Sequence, residues 1–278
     1  MRPSSKNLSI EFRAIASILI ISIWLIGILA PKLLWMNPTF RAAVSTLGID
    51  AMFLFSPTCW AAATIVGWLA TRTFVRFRGS EVTSLTLGLR VGWRRAAVGF
   101  LFGCSCTLPM AVLAIWCEST MVPRFIAYTT ILPGFTEELL FRAFAFGMLV
   151  QAVRFRVWPA AIFTGVVFGL VHVDITPDVG QTILGQVFSF WIFMISLGGV
   201  LYAWLFHRAG WNLWIVIALH VSMNFWWDSF DMSSSPLGEM GTILVRVATV
   251  AIAITALEFA KGSLLRPAVL VPSGDDTH

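Results

Sequence analysis

A chain of 278 residues that is 58% hydrophobic and 12% charged is not a water-soluble globule, whose charged fraction is about 25%. The net charge of +5 comes from basic residues set between apolar runs. These form no continuous surface for a phosphate backbone, so nucleic acid is not an expected partner.

The composition predicts an all-α, polytopic membrane protein whose solvent is the lipid bilayer. A hydrocarbon core of about 30 Å needs roughly 20 apolar helical residues. Eight segments meet or approach that length: 14–34, 51–71, 96–117, 125–150, 157–173, 184–206, 211–228 and 241–260. Lipid offers no partner for open backbone groups, so all eight are expected to be helices of one bundle. No short basic leader with a small-residue cleavage site precedes the first, which is read as a retained anchor. Between the second and third lies a basic stretch with Arg72, Arg76, Arg78, Arg90, Arg94 and Arg95, read as a topological anchor. The fifth segment is the shortest, and the eighth carries Arg246 and Glu258 near its ends. With the N-terminus inside, the inner segments also collect Arg2, Lys6, Arg13, Arg154, Arg156, Arg208, Lys261 and Arg266, leaving Lys32, Arg41 and Arg124 outside. Basic bias orients membrane chains, so both termini are expected in the cytoplasm. Trp35, Trp93, Trp158, Trp211, Trp226 and Trp227 fall near segment ends, where indoles favour the interface. Cys59, Cys104, Cys106 and Cys117 have no metal-ligand spacing and read as packing residues. The tail after Lys261, ending at His278, reads as poorly ordered.

Polar residues inside the apolar segments are few, and they group. The fourth segment holds Thr136-Glu137-Glu138-Leu139-Leu140-Phe141-Arg142, three charges at a depth where each costs roughly 2.5–3.5 kcal/mol. Glu138 and Arg142, four apart, share a helix face and can pair; otherwise Arg142 snorkels to the inner interface. Glu137 points about 100° away and needs another partner. The fifth segment closes on Phe168-Gly169-Leu170-Val171-His172, and the seventh carries His220-Val221-Ser222-Met223-Asn224, a histidine and an amide on one face. Taken singly, each reads as packing or as interhelical hydrogen bonding worth about 0.6 kcal/mol. Helical rise sets Glu137 at ~12 Å, His220 at ~14 Å, Asn224 at ~20 Å and His172 at ~22 Å from the inner face of the core, a shared middle depth. Pro133 and Gly134, just before the glutamates, predict a kink.

A carboxylate with one imidazole, plus a second imidazole with an amide, supplies the parts of a hydrolytic site. Glu137 can serve as general base on a water also held by His172. His220 and Asn224 can donate to the oxyanion of a tetrahedral intermediate, while Glu138 and Arg142 support the helix. That scheme requires no cofactor. Glu137, His172 and His220 could instead hold zinc, although the usual HExxH spacing is absent.

These residues resemble the CAAX protease and bacteriocin-processing (CPBP) family, whose pattern is EExxxR, FxxxH and HxxxN on three membrane helices. Here these are Glu137-Glu138 with Arg142, Phe168 with His172, and His220 with Asn224. The resemblance covers roughly residues 84–228, entered at Gly88-Leu89-Arg90, and extends to type II CAAX prenyl endopeptidases. It implies a glutamate-dependent intramembrane endopeptidase, metal-independent, acting on a membrane-associated peptide or protein in a bacterial cell membrane. Peptide leaders, bacteriocin precursors, C-terminal sorting segments and prenylated CAAX proteins are the substrates it suggests. The chain then divides into 1–83 with two helices and the basic loop, a catalytic core 84–228, and 229–278 with the last helix and tail. Two readings without proteolysis stay open: a membrane adaptor or immunity protein with a structural polar core, and a proton-coupled transporter, which the lack of an inverted repeat opposes.

Overall fold

The computed structural model describes residues 9–77, 87–119, 126–173, 182–232 and 235–260. The tail from Lys261 to His278, the centre of the basic loop, Arg2, Lys6 and Arg124 lie outside the described residues. Each of the eight predicted segments is helical over most of its described length, with 96–117 and 184–206 each broken into two helices. The first is α1 (Ile10–Met36), followed by a short α2 (Pro38–Thr46) that apolar length did not reveal. Asn37 starts α2 by accepting from the Thr39 and Phe40 amides at 2.9 and 3.1 Å, with Pro38 in the first turn. Next come α3 (Ile49–Phe77), α4 (Trp93–Cys106) and α5 (Leu108–Ala114), the last two bent by 46° at Thr107. A continuous helical stretch, 126–151, is α6. After it run α7 (Val157–Val171), α8 (Ile183–Val187), α9 (Phe190–Arg208), α10 (Leu213–Ser229) and α11 (Gly238–Ala260). The ends of α5 and α10 are joined by a two-residue antiparallel pairing, β1 (Glu118–Ser119) on β2 (Phe230–Asp231).

The protein is all-α in its membrane part and polytopic. Among the described residues, α1, Leu54–Val75 of α3, α9 and Met240–Phe259 of α11 are each long and apolar enough to span, and the bent α4–α5 pair makes five. The expected eight are not reached by this measure because α7 and α10 have only 15 and 17 residues, and α6 is interrupted by wide turns and carries the charges. α1 shows why lipid is the solvent. It buries Phe12, Ala16, Ile20, Trp24 and Ile28 while turning Ile18, Ile26, Leu29 and Leu33 outward, and a helix apolar on every face belongs in a membrane or a core.

α6 is the axis of the bundle, packed by α1, α3, α7, α9 and α10, and Glu138–Phe146 are all buried. Close approach fixes two of these contacts. Gly165 and Gly169 of α7 face α9, where a Cβ on Gly165 would stand 2.6 Å from Val200, as small residues four apart permit in membranes. Gly134 of α6 faces α10, where a Cβ would stand 2.9 Å from Val221. Polar ties hold the rim: Arg13 donates to the Val153 and Arg154 carbonyls at 2.8 and 3.2 Å, and Lys32 donates to Val173 at 2.9 Å.

Trp93 and Trp158 are exposed, as belt residues would be. Trp226 and Trp227 instead face neighbouring helices: Trp226 donates to Thr107 Oγ1 at 3.2 Å, and Trp227 lies under the Arg246 guanidinium. Glu258 is explained by a two-pronged pair with Arg208. All four cysteines are free thiols.

Candidate active site

The proline that predicts a kink produces a change of helical gauge instead. A π turn, Ala127–Ile131, precedes Pro133, a short α segment Leu132–Glu137 follows, and a second π stretch runs Glu138–Phe146. Proline lacks the amide that an α turn would use, and widening the turn absorbs the loss without breaking the rod. Thr136 Oγ1 donates back to the Leu132 carbonyl at 2.8 Å. Glu137 thus ends an α segment and Glu138 opens a wide one, a junction of the kind that re-aims side chains at functional sites.

His220 of α10 is held between the two glutamates. Its Nδ1 lies 2.7 Å from Glu138 Oε1 and its Nε2 lies 3.7 Å from Glu137 Oε2. Glu138 Oε1 also faces Arg142 Nη1 at 3.1 Å, with exposures of 0% and 2%, so Arg142 does not snorkel. Its plane lies over the Phe168 ring at 4.1 Å and near Tyr202 at 5.2 Å, a cation–π arrangement strongest where water is excluded. Glu138 Oε2 and Arg142 Nη2 make no hydrogen bond, so the pair is held by charge and packing more than by alignment. With His220 neutral the cluster carries one net negative charge; with His220 protonated it carries none.

Phe168 gathers the rest. Its ring meets His172 at 4.9 Å edge-on and His220 at 6.3 Å. His172, exposed just past the end of α7, points Nδ1 at the Phe168 carbonyl at 2.8 Å. A carbonyl only accepts, so Nδ1 carries the proton and Nε2 of the neutral ring keeps its lone pair. Among the described residues no hydrogen bond or ion pair links His172 or Asn224 to Glu137 or Glu138; His172 joins the cluster through Phe168, and Asn224 by standing one turn beyond His220. The trio considered for zinc does not form a ligand set: among the described residues no three His, Cys, Asp or Glu side chains are grouped to hold a metal ion.

Tyr202 of α9 was not singled out by the sequence reading. It is buried, donates to Met223 Sδ at 3.0 Å and meets the His220 ring at 5.7 Å. Its signal was available: it is one of two tyrosines in the chain and sits inside an apolar run.

Fold and site define a class: a helical membrane protein whose interior groups Glu137, Glu138 and Arg142 with the largely buried His220. Residues 119–226 match the family model described as "Type II CAAX prenyl endopeptidase Rce1-like", a stretch that contains all three motifs and leaves α1, α3 and α11 outside. The chain is also similar to a Bacillus subtilis (strain 168) protein described as "Putative membrane peptidase YdiL", 26% identical over 191 residues, covering 63% of this chain and 70% of that one. No solved structure matches. These two matches support a CPBP-family membrane protein of the CAAX-protease type, and the apolar helices support an integral membrane protein.

Proposed function

We propose that the protein is a glutamic-type intramembrane endopeptidase that hydrolyses a peptide bond in a membrane-associated protein or peptide. The observation that carries this is the convergence of Glu137 and Glu138 on opposite nitrogens of one largely buried imidazole. A structural pair needs one carboxylate for Arg142; the second, Glu137, is left for chemistry. Glu137 takes a proton from water while the oxygen attacks the carbonyl carbon, and returns it to the leaving nitrogen as the C–N bond breaks. His172 Nε2 accepts the other water hydrogen, an orientation its Nδ1 bond to Phe168 favours. Asn224 Nδ2 and protonated His220 Nε2 donate to the oxyanion. Glu138 fixes the His220 ring, and Arg142 fixes Glu138. We propose no metal step, and orientation with both termini in the cytoplasm.

Mass spectrometry of membrane proteomes from cells carrying the wild type or Glu137→Ala tests this. New peptide termini should vanish in the variant, and on any substrate so found Glu137→Gln should lower the rate by about 10²–10⁴, the contribution of a positioned base. Identical termini in both cells would leave the adaptor reading in its place.

A further inference from the structure

The site does not end at the glutamates. α6 and α10 run antiparallel and meet at a second polar rung, where Thr130 Oγ1 donates to Asp228 Oδ2 at 3.0 Å. This rung lies eight residues from Glu138 on one helix and eight from His220 on the other, and Asn224 stands midway between them. α11, outside the family match, brings Arg246 to it, nine residues into a 23-residue helix. The guanidinium carbon is 3.5 Å from the Trp227 ring centre and 5.6 Å from that of Trp191. Asp228 and the Tyr202 hydroxyl lie within electrostatic reach.

A membrane arginine needs a use. Packed indole covers one face of the Arg246 plane and leaves the edge as the part shaped to take a planar ligand. Its Nε is buried and makes no hydrogen bond. The edge of a guanidinium, Nε with one Nη, is the shape that takes a carboxylate through two parallel hydrogen bonds. Asp228 is exposed, so this end of the rung is open. Eight helical residues separate the rungs by ~12 Å along the axis, which an extended peptide covers in about three to four residues.

We propose that Arg246 binds a carboxylate of the peptide substrate, about three to four residues from the bond that is cut, and thereby selects and registers the substrate. This rests on the peptidase reading above. The carboxylate is either the peptide's own C-terminus or an Asp or Glu side chain at that distance, and either presents the same edge to the guanidinium. Trp227 is the rigid floor that keeps the guanidinium edge-on, and α11 becomes a substrate-reading helix.

The test uses full-length protein in nanodiscs and apolar heptapeptides labelled at the N-terminus with a fluorophore. They come in three matched forms: free C-terminal acid, C-terminal amide, and amide with Asp four residues from the end. Binding is read by polarisation on Glu137→Ala, which holds peptide without cutting it, and cleavage by mass spectrometry on the wild type. An acid form, terminal or internal, should bind about ten- to a hundredfold tighter than the plain amide, the range of one charge-assisted pair. Which acid form gains names the source. Adding Arg246→Gln to Glu137→Ala should bring that ratio to near one while the amide remains measurably bound, and in cleavage the loss should fall on KM. Equal binding of all three forms, including none by any, overturns the proposal, as does a preference that survives Arg246→Gln. Because acid and amide are compared on the same protein, a poorly folded variant cannot imitate the result. Cleavage without a carboxylate preference would sink this inference and leave proteolysis standing; a preference without cleavage would do the reverse.

Discussion

Arg208 and Glu258, which join α9 to α11, meet through three hydrogen bonds of 2.9–3.0 Å and are 41% and 40% exposed. Arg142 and Glu138 make one 3.1 Å contact and are 2% and 0% exposed. The better-formed pair is the weaker determinant, because exposed charges lose little when separated into water, whereas a buried charge left alone has no alternative partner. What the contrast teaches is that the inner pair is positional. It fixes Glu138 so that Glu138 can fix His220, and the outer pair only fastens two helices.

Substitutions can break this comparison. Arg142→Ala leaves the buried Glu138 without its cation, with His220 as its remaining partner, and should cost about 3–5 kcal/mol, read as a lowered unfolding temperature in detergent; a loss as small as that of the outer pair would end the distinction. Gly134→Val pushes α10 off α6 at Val221 and should cost about 1–3 kcal/mol by overpacking, with proteolysis falling further than stability because the glutamates and His220 move apart. Arg142→Lys keeps the charge but lays no plane on Phe168, and should cost about 2 kcal/mol, the scale of a desolvated cation–π contact. Arg208→Ala is the smallest, roughly 0.2–1 kcal/mol, and should leave any peptidase activity within about twofold, the spread of an unaffected site.

The helices were legible because apolar length is a one-dimensional quantity, and each of the eight segments is helical over most of its length, although 96–117 and 184–206 are each broken into two helices. The site was legible to the extent that its members obey helical spacing: Glu138 with Arg142 and His220 with Asn224 are set by four-residue intervals. What spacing could not give was which carboxylate meets which imidazole. The expectation paired Glu137 with His172, while His220 lies between both glutamates and His172 reaches the cluster through Phe168. That depends on how α6 is wound around Pro133, and the π turns that decide it leave no periodic trace. Arg246 was visible only as an awkward charge near the end of a helix, since the tryptophan beneath it is nineteen positions away in the chain.

α1 has a history that the finished bundle hides. Arg13 and Lys32, near its two ends, take partners at Val153 and Val173, 140 and 141 residues later, and Trp24 waits for Phe141. At a synthesis rate of about 5–20 residues per second, those partners emerge on the order of ten seconds after α1 itself. During that interval the helix has α3 as its main partner and otherwise faces lipid. Its apolar surface on every face is therefore what the newborn chain requires as much as the mature one, and the two cations at its ends act first as moorings in the headgroups and only later as donors to the bundle.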